Sequence, residues 1–538
     1  MPQPSIRLLA CSPILPAGRS GVQSPPMNRA RHLFQSSVLV IVFFGLGKVT
    51  GLLRTRLVGG VFGTSPELDA FAAANQLPEV FFTLIAGGSL AAAFIPVYSA
   101  YLSGEKAPAS TRLANTILTL VILVLGAVSA LGAIFAPWLT RVLLVPDYAP
   151  ELQQLTADLM RIILVQTTIF GISGVLSSIL NTHQHFALPA LAPLALDIGY
   201  FIGLYLFVPS LGIYGLAWGT VASGVIHVAI QVPALIRYRF GYRPALAVRL
   251  AGVHEIVRLM GPRIVTLGAI QVADLFIVRL ASGLPAGSAS AYFSYGYPLM
   301  QLPETLFGTA IALVVFPTMA ELFNAGDIDG LKRTAANALS IIWTLTFPAA
   351  AGLVLLGRPA VALLLETGEF GAESTRLVYS VLVVFSVRIV SEATLEIVAR
   401  LFYAQHNTRT PMFAYLGWLV VNVAFAYLLV PAYGIIGLAA ASTIAFTLLA
   451  ALLFWLNRLH LGNLYERALA LSAGRALLAT AGMSAVILML AGVVAGPLLF
   501  LVVGGAAGLM IYVALNLLLG GREIPSVVRM LRPQSSQA

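Results

Sequence analysis

A short stretch near the start of the chain gathers charge where charge is costly. Lys48, Arg54 and Arg56 sit in GKVTGLLRTRL, and Asp69 and Glu79 follow in PELDAFAAANQLPE, all within or beside apolar runs. An ionisable side chain inside a membrane span costs at least about 2.5 kcal/mol on insertion scales, so each must pair, face water or meet a charged ligand. Lys48 is one of only three lysines in the chain. Two chemistries fit: a cationic cavity for an anionic head group such as a diphosphate, or internal pairing of Lys48 and Arg54 with Asp69 and Glu79. Arg54 and Arg56 lie two residues apart, roughly 200° around a helix, so one of them faces away from any shared cavity. Snorkelling to an interface is the stronger expectation for Arg56.

A second candidate is a repeated motif. QLPEVFFTLIAGGSLAAAFIP from Gln76 returns as QLPETLFGTAIALVVFP from Gln301, and both copies place a proline and then a glutamate inside an apolar span. Such a broken, charged span is tolerated where it lines a cavity, which makes Gln76, Glu79, Gln301 and Glu304 candidate lining residues. Further along, Asp274 and Arg279 are too far apart around a helix to pair with each other, so their partners belong to other helices. Arg388, Glu392, Glu396 and Arg400 step by four, a net-neutral ladder on one helix face; structural glue is the leading expectation, a cation or proton path the alternative. His183 and His185 form a loop H-x-H with too few ligands for a metal site and suit lipid head groups. The chain holds no P-loop, G-x-S-x-G or H-E-x-x-H, so no catalytic residue and no metal ligand is assigned. The single cysteine, Cys11, excludes a disulfide framework and a cysteine-based metal cluster.

The elements that must position these groups follow from composition. Of 538 residues, 59% are hydrophobic and 10% charged, with mean hydropathy +0.92, whereas a soluble domain carries about 25% charge. The chain reads as an all-α polytopic membrane protein. Apolar runs long enough to cross a bilayer succeed one another with short polar gaps, predicting fourteen spans near 34–58, 69–101, 111–143, 152–180, 186–208, 212–236, 254–282, 288–322, 330–357, 374–404, 411–430, 434–457, 471–494 and 498–519. The net charge of +10 is spread through alternate loops rather than one patch, which argues for membrane topology and against a nucleic-acid partner. Basic residues such as Arg237, Arg243, Lys332, Arg409 and Arg458 fill one set of loops, and the other set leans acidic, with Glu67, Asp147, Glu151, Glu366, Glu369 and Glu373. The positive-inside rule then predicts both termini in the cytoplasm.

VPSLGIYGLA at Val208 returns as VPAYGIIGLA at Val430, and LNTHQHFALP returns as FYAQHNTRTP with the same offset, 430 − 208 = 222 and 411 − 189 = 222. Six-helix halves therefore repeat in parallel about an axis along the membrane normal, as in two-lobed transporters. The expected organisation is a leader at 1–27, a first lobe at 28–248 (spans 1–6), a second lobe at 249–462 (spans 7–12), and two further spans with a cytoplasmic tail at 463–538. The leader is expected to be disordered or an over-extended start, with Met27 the expected beginning.

Together, GKVTGLLRTRLVGGVFGTSPELDAFAAANQLPE, AAAFIPVYSAY, ILNTHQHFALPALAP, MGPRIVTLGAIQ, LMQLPETLFGTAIALVVFPTMAE and FYAQHNTRTP resemble the MurJ/MviN family of lipid II flippases, in the multidrug/oligosaccharidyl-lipid/polysaccharide exporter superfamily. The resemblance covers residues 33–520. It implies fourteen helices, a V-shaped pair of six-helix lobes, a central cationic cavity that opens alternately to either side, and a lipid-tail groove on the two C-terminal helices. Residue by residue, Lys48 and Arg54 match basic positions and Asp69 the acidic residue that opens the second span. Phe82 and Thr83 stand where the family has basic residues, and Tyr297, Pro298 and Gln301 where it has an Asp-Arg pair and a Glu. Some members hold sodium between the seventh, eleventh and twelfth spans; Asn422 and Ser442 match that region, while Ile277 and Ala426 replace expected acidic ligands and Asp274 is the candidate substitute.

The expectation is thus a transporter and not an enzyme: a flippase in the cytoplasmic membrane that moves lipid II, or a similar undecaprenyl-diphosphate-linked glycan, to the outer leaflet for peptidoglycan synthesis. Lys48, Arg54, Asp69, Gln76, Glu79, Gln301 and Glu304 form the expected substrate site, and Asp274, Arg279, Asn422 and Ser442 the expected coupling groups for sodium or protons, with no cofactor. Membrane lipids and cell-wall synthesis proteins are the other expected partners. A flippase for a capsule or O-antigen unit is the alternative, and a membrane glycosyltransferase the third reading.

Overall fold

A computed structural model describes residues 26–102, 104–238 and 240–525; nearly all of the leader expected at 1–27, and the end of the tail, lie outside them. Among the described residues the structure is helical with no strands. The main helices are α1 (Pro26–Phe62), α2 (Pro66–Ile85), α3 (Gly88–Tyr101), α4 (Ser110–Ile134), α5 (Pro150–Thr182), α6 (Ala192–Ile202), α7 (Ile213–Arg237) and α8 (Ala251–Ala281), then α9 (Tyr297–Glu304), α10 (Ala310–Asn324), α11 (Ile328–Leu365), α12 (Ala372–Ala404), α13 (Arg409–Leu461), α14 (Glu466–Ala491) and α15 (Pro497–Leu518).

Among the described residues eleven continuous helical segments are long and apolar enough to cross a membrane, including Pro66–Tyr101, Ser290–Asn324 and the 53-residue Arg409–Leu461. The last covers two predicted spans and turns at Gly434, whose φ of 55° and ψ of −131° are not helical. Two more long helices, α1 and α12, carry clustered charge. Large apolar side chains stand on the surface, with Leu206 67%, Val314 75% and Leu518 82% exposed, exposures that an apolar solvent tolerates and water would penalise.

The repeat is written in the backbone. Gly212 takes φ 57°, ψ −138° and Gly434 φ 55°, ψ −131°, 222 residues apart, and both open the last helical leg of a lobe. Gln184 (φ 58°) and His406 (φ 57°) also lie 222 apart, each after a long helix. Side chains rarely adopt these angles, so their recurrence at one offset marks a duplicated fold. The first lobe packs α2, α4 and α7 around α5; the second packs α11, α12 and α13 together; α14 and α15 pair with each other and lie against α11.

The two QLPE copies break differently. In the first, α2 starts on a Ser65 cap, whose hydroxyl accepts from the Leu68 amide at 3.3 Å, with Pro66 in the first turn. It runs straight through Pro78 and breaks only at Ala86–Gly87, where both amides bond the Phe82 carbonyl at 2.9 and 2.7 Å. In the second, wide π-type turns at Ser290–Gly296 and Thr305–Thr309 flank α9, which carries Pro298 and Pro303.

Helix α8 belongs to both lobes. Its first turn packs on the first lobe, where the Tyr101 hydroxyl accepts from the Gly252 amide at 3.0 Å, and its length lies against α2 and α3 on one side and α13 on the other.

Candidate substrate cavity and interlobe latch

Three neighbouring cavities run from the first lobe across the lobe boundary into the second. The first, about 190 Å³, is lined by Arg54, Thr55, Asn75, Gln76, Tyr200 and residues of the second lobe, including Ser294 and Pro298. It shares Asn75, Gln76 and Tyr200 with a first-lobe chamber of about 360 Å³ that also holds Glu79 and Gln166. Through Phe293 it adjoins a second-lobe chamber of about 200 Å³ lined by Asp274, Arg388, Glu392, Asn422 and Ser442.

Arg54 faces this space. Its Nη1 lies 3.0 Å from Asp197 Oδ1, and its guanidinium sits 4.8 Å from the centre of the Tyr200 ring. Asp197 is nearly fully buried and is also bonded by the Thr50 hydroxyl. The partner foreseen from sequence was Asp69 or Glu79; the real one sits in α6, in ALDIGYF, a charged residue inside an apolar span that the rule applied to Lys48 and Glu79 would equally have flagged. Lys48 is half-buried, forms no ion pair among the described residues, and lies within electrostatic reach of Glu304 across the lobe boundary. The cavity is therefore less cationic than the resemblance implies: Arg54 is already neutralised, and Lys48 supplies the uncommitted positive charge.

The QLPE residues divide. Gln76 and Glu79 line the first-lobe cavities, and the Thr83 hydroxyl donates to Glu79 at 3.2 Å. Gln301 donates instead to the Tyr297 hydroxyl at 2.8 Å, and Glu304 is 3% exposed and accepts from Thr309 at 3.3 Å.

Asp69 points away from Lys48 and Arg54. Its two carboxylate oxygens accept the backbone amides of Gly287 and Ser290, each at 2.6 Å, which ties the start of α2 to the second lobe. It is one strand of a latch at the acidic-loop end. Arg56 donates to the Leu363 and Leu364 carbonyls at 3.0 and 2.9 Å, satisfying the last turn of α11; it is a tie between lobes rather than an interface snorkel. The Glu369 amide bonds the Gly60 carbonyl at 2.9 Å, the Tyr295 hydroxyl bonds the Gly63 carbonyl at 2.6 Å, and the Thr64 and Ser374 hydroxyls lie 2.9 Å apart. Gly368, at φ 55°, is pressed so closely on the Gly60 carbonyl that a Cβ would not fit. Arg279 joins the same end, donating to the Val142 carbonyl of the first lobe, so it stands apart from the other coupling candidates.

Asp274, Asn422 and Ser442 do meet in the second-lobe chamber. The helix-12 ladder forms two i,i+4 pairs, Arg388 with Glu392 at 2.9 Å and Arg400 with Glu396. What the sequence did not disclose is that Arg388, while keeping its ladder partner, also reaches into the chamber and donates to Ser442. At the basic-loop end His183 stacks on Tyr238, ring centres 4.9 Å apart, and burial pushes its imidazole below the ordinary range.

Comparison with known proteins agrees with this architecture. The family model described as lipid II flippase MurJ matches residues 58–504. The chain is 27% identical to the lipid II flippase MurJ of Burkholderia cenocepacia over 430 residues, 79% of this chain and 83% of that one. It is 28% identical to the probable lipid II flippase MurJ of Thermotoga maritima over 502 residues, 92% and 99% of the two chains. Among solved structures, a lipid II flippase MurJ in an inward closed conformation superposes with a TM-score of 0.76 at 22% identity, covering 91% of this chain and 100% of that chain. An inward-facing MATE-family transporter of the MOP superfamily gives 0.67 at 17%, covering 79% and 99%; these two establish the fold. With a family match over far more than half its length, and with a two-lobed bundle around a polar central cavity, this chain belongs to the lipid II flippase MurJ family.

Proposed function

We propose that the protein translocates lipid II, the lipid-linked peptidoglycan precursor, from the cytoplasmic to the outer leaflet by alternating access. The observation that carries the reading is Arg54, held by a single carboxylate in a cavity between two lobes that are latched at one end only by exchangeable hydrogen bonds. Lys48 and Arg54 bind the diphosphate, which displaces Asp197 from Arg54: a dianion makes more charge-assisted hydrogen bonds to the fork than one carboxylate oxygen does. Gln76 and Glu79 line the sugar and peptide path in the first lobe, while Gln301 and Glu304, engaged with Tyr297 and Thr309, support the second-lobe side from behind. Asp69 is the gate: releasing the Gly287 and Ser290 amides frees the acidic-loop end. By the Lys/Arg bias of the loops, that end faces outward and both termini are cytoplasmic, so the latched state loads from the cytoplasm. Asp274, Asn422 and Ser442 gather with Arg388 as the polar centre of the second lobe, no cofactor takes part, and cell-wall synthesis proteins are the natural consumers of the product.

The experiment is complementation of a bacterium depleted of its lipid II flippase. The wild-type chain restores growth, and Arg54→Ala, expressed to the same level in the membrane, does not. Failure of the wild type, together with binding of an undecaprenyl-linked glycan that lacks the stem peptide in preference to lipid II, would overturn the assignment in favour of another lipid-linked glycan.

A further inference from the structure

The second-lobe chamber is the region where some members of this family hold sodium, and its donor set does not suit that ion. Hard cations need a shell of oxygen ligands. Ile277 and Ala426 present none and are 3% and 1% exposed. The Ser442 hydroxyl is already committed, accepting from Arg388 at 2.8 Å. Of the other carboxylates that line the chamber, Glu392 is paired with Arg388 at 2.9 Å and Glu396 with Arg400; Asp274 and the Asn422 carbonyl remain, and Asp274 shares its chamber with a permanent positive charge.

That charge is built in with care. Arg388 is 5% exposed. Its Nε donates to Glu392 at 2.9 Å and its Nη1 to Ser442, while the guanidinium plane lies 4.1 Å from the ring centre of Phe446 and 5.0 Å from that of Tyr297. One side chain thereby joins α12 to the last leg of α13 and to α9, facing Asp274 on α8. Guanidinium stays charged at any physiological pH, and its flat face suits aromatic walls. In the same chamber, the Asn422 side chain is 1% exposed and neither its nitrogen nor its oxygen has a partner among the described residues, so the lining keeps polar groups in reserve.

We propose that Arg388 is the resident cation of the second lobe, a tethered guanidinium in place of a dissociable ion, so that this chamber takes up no sodium and the transport cycle does not depend on it. The independence of the transport cycle from sodium rests on the flippase reading; the occupancy of the chamber is tested without transport. A tethered charge never leaves, so the packing of α8, α9, α12 and α13 is independent of the ionic gradient.

The test is thermal unfolding of the full-length purified chain in sodium and in potassium chloride at matched ionic strength. The two curves coincide if the guanidinium fills the site. A saturable, sodium-specific rise in Tm that disappears in Asp274→Asn overturns the proposal. In Arg388→Ala, low-millimolar methylguanidinium raises the lowered Tm towards the wild-type value and an equal concentration of potassium does not; restoration by sodium with no response to methylguanidinium overturns it as well. Because both readouts are unfolding curves, a chain that failed to flip lipid II would leave the result intact.

Discussion

Asp69→Asn isolates the latch from the rest of the cavity. The native carboxylate accepts two buried backbone amides at 2.6 Å each, and a hydrogen bond to a charged group contributes about 1.5–3 kcal/mol net. In the asparagine variant the oxygen retains one amide and the new NH2 group confronts the other, which loses one charge-assisted bond and strands a buried donor. The latched state should weaken by about 2–4 kcal/mol, a shift of roughly 30-fold to several hundred-fold in its population relative to the open state. Disulfide trapping reads this directly: the Thr64 and Ser374 hydroxyls are 2.9 Å apart, so Thr64→Cys with Ser374→Cys, in a chain whose lone Cys11 is changed to Ser, cross-links only when the latch is shut. The expected outcome is a large fall in trapping rate when Asp69→Asn is added, with the protein still folded. An unchanged rate would refute the assignment of Asp69 to the gate and return it to the substrate site.

Other outcomes follow from the same geometry. Arg54→Ala leaves the buried Asp197 carboxylate without its cation and lowers Tm, whereas Arg54→Ala with Asp197→Ala recovers most of the loss, since an orphaned buried charge costs about 3–5 kcal/mol; equal Tm values for the single and double variants would disprove the pairing. Gly212→Ala and Gly434→Ala each force a side chain into a backbone region that only glycine enters readily and should cost about 1–3 kcal/mol apiece, measured by unfolding in detergent. Glu79→Gln, on the cavity wall, should impair complementation more than Glu304→Gln, which is buried against Thr309; equal effects would argue that both copies face substrate. The His183 imidazole, held below its ordinary range by burial, contributes stability that is full above its unfolded pKa of about 6.5 and is lost as pH falls through the lower folded value. His183→Phe should keep the stack on Tyr238 and flatten that acid limb in a Tm-against-pH series.

Much of the fold could be read from residues alone because membrane helices must satisfy their backbone internally and so advertise themselves as apolar runs. The repeat was visible at Val208 and Val430 because its kinks require particular residues: Gly212 and Gly434 are among the few that can turn there. Gln301 and Glu304 carried the motif of Gln76 and Glu79 and yet occupy different surroundings, since π-type turns rotate the second copy. The site was harder to read because its partners are not complementary letters. Asp69 is met by amides of Gly287 and Ser290, and Arg56 by carbonyls of Leu363 and Leu364, groups every residue possesses. Arg388 looked like half of a local pair because its i,i+4 partner is real; its second role depends on Ser442 and Phe446, more than fifty positions away.

Helix α8, anchored to both lobes, turns the transport step into a problem of mechanics. Two lobes joined by a flexible cord could swing freely, but a continuous helix wedged between them is a beam fixed at both ends, and one lobe cannot rock without flexing it. The sequence places Gly261, Pro262 and Gly268 along that beam, and a proline removes one rung of the i→i−4 ladder, so compliance is concentrated near its middle. Flexing of that section is the mechanical cost that any rocking of one lobe against the other has to meet.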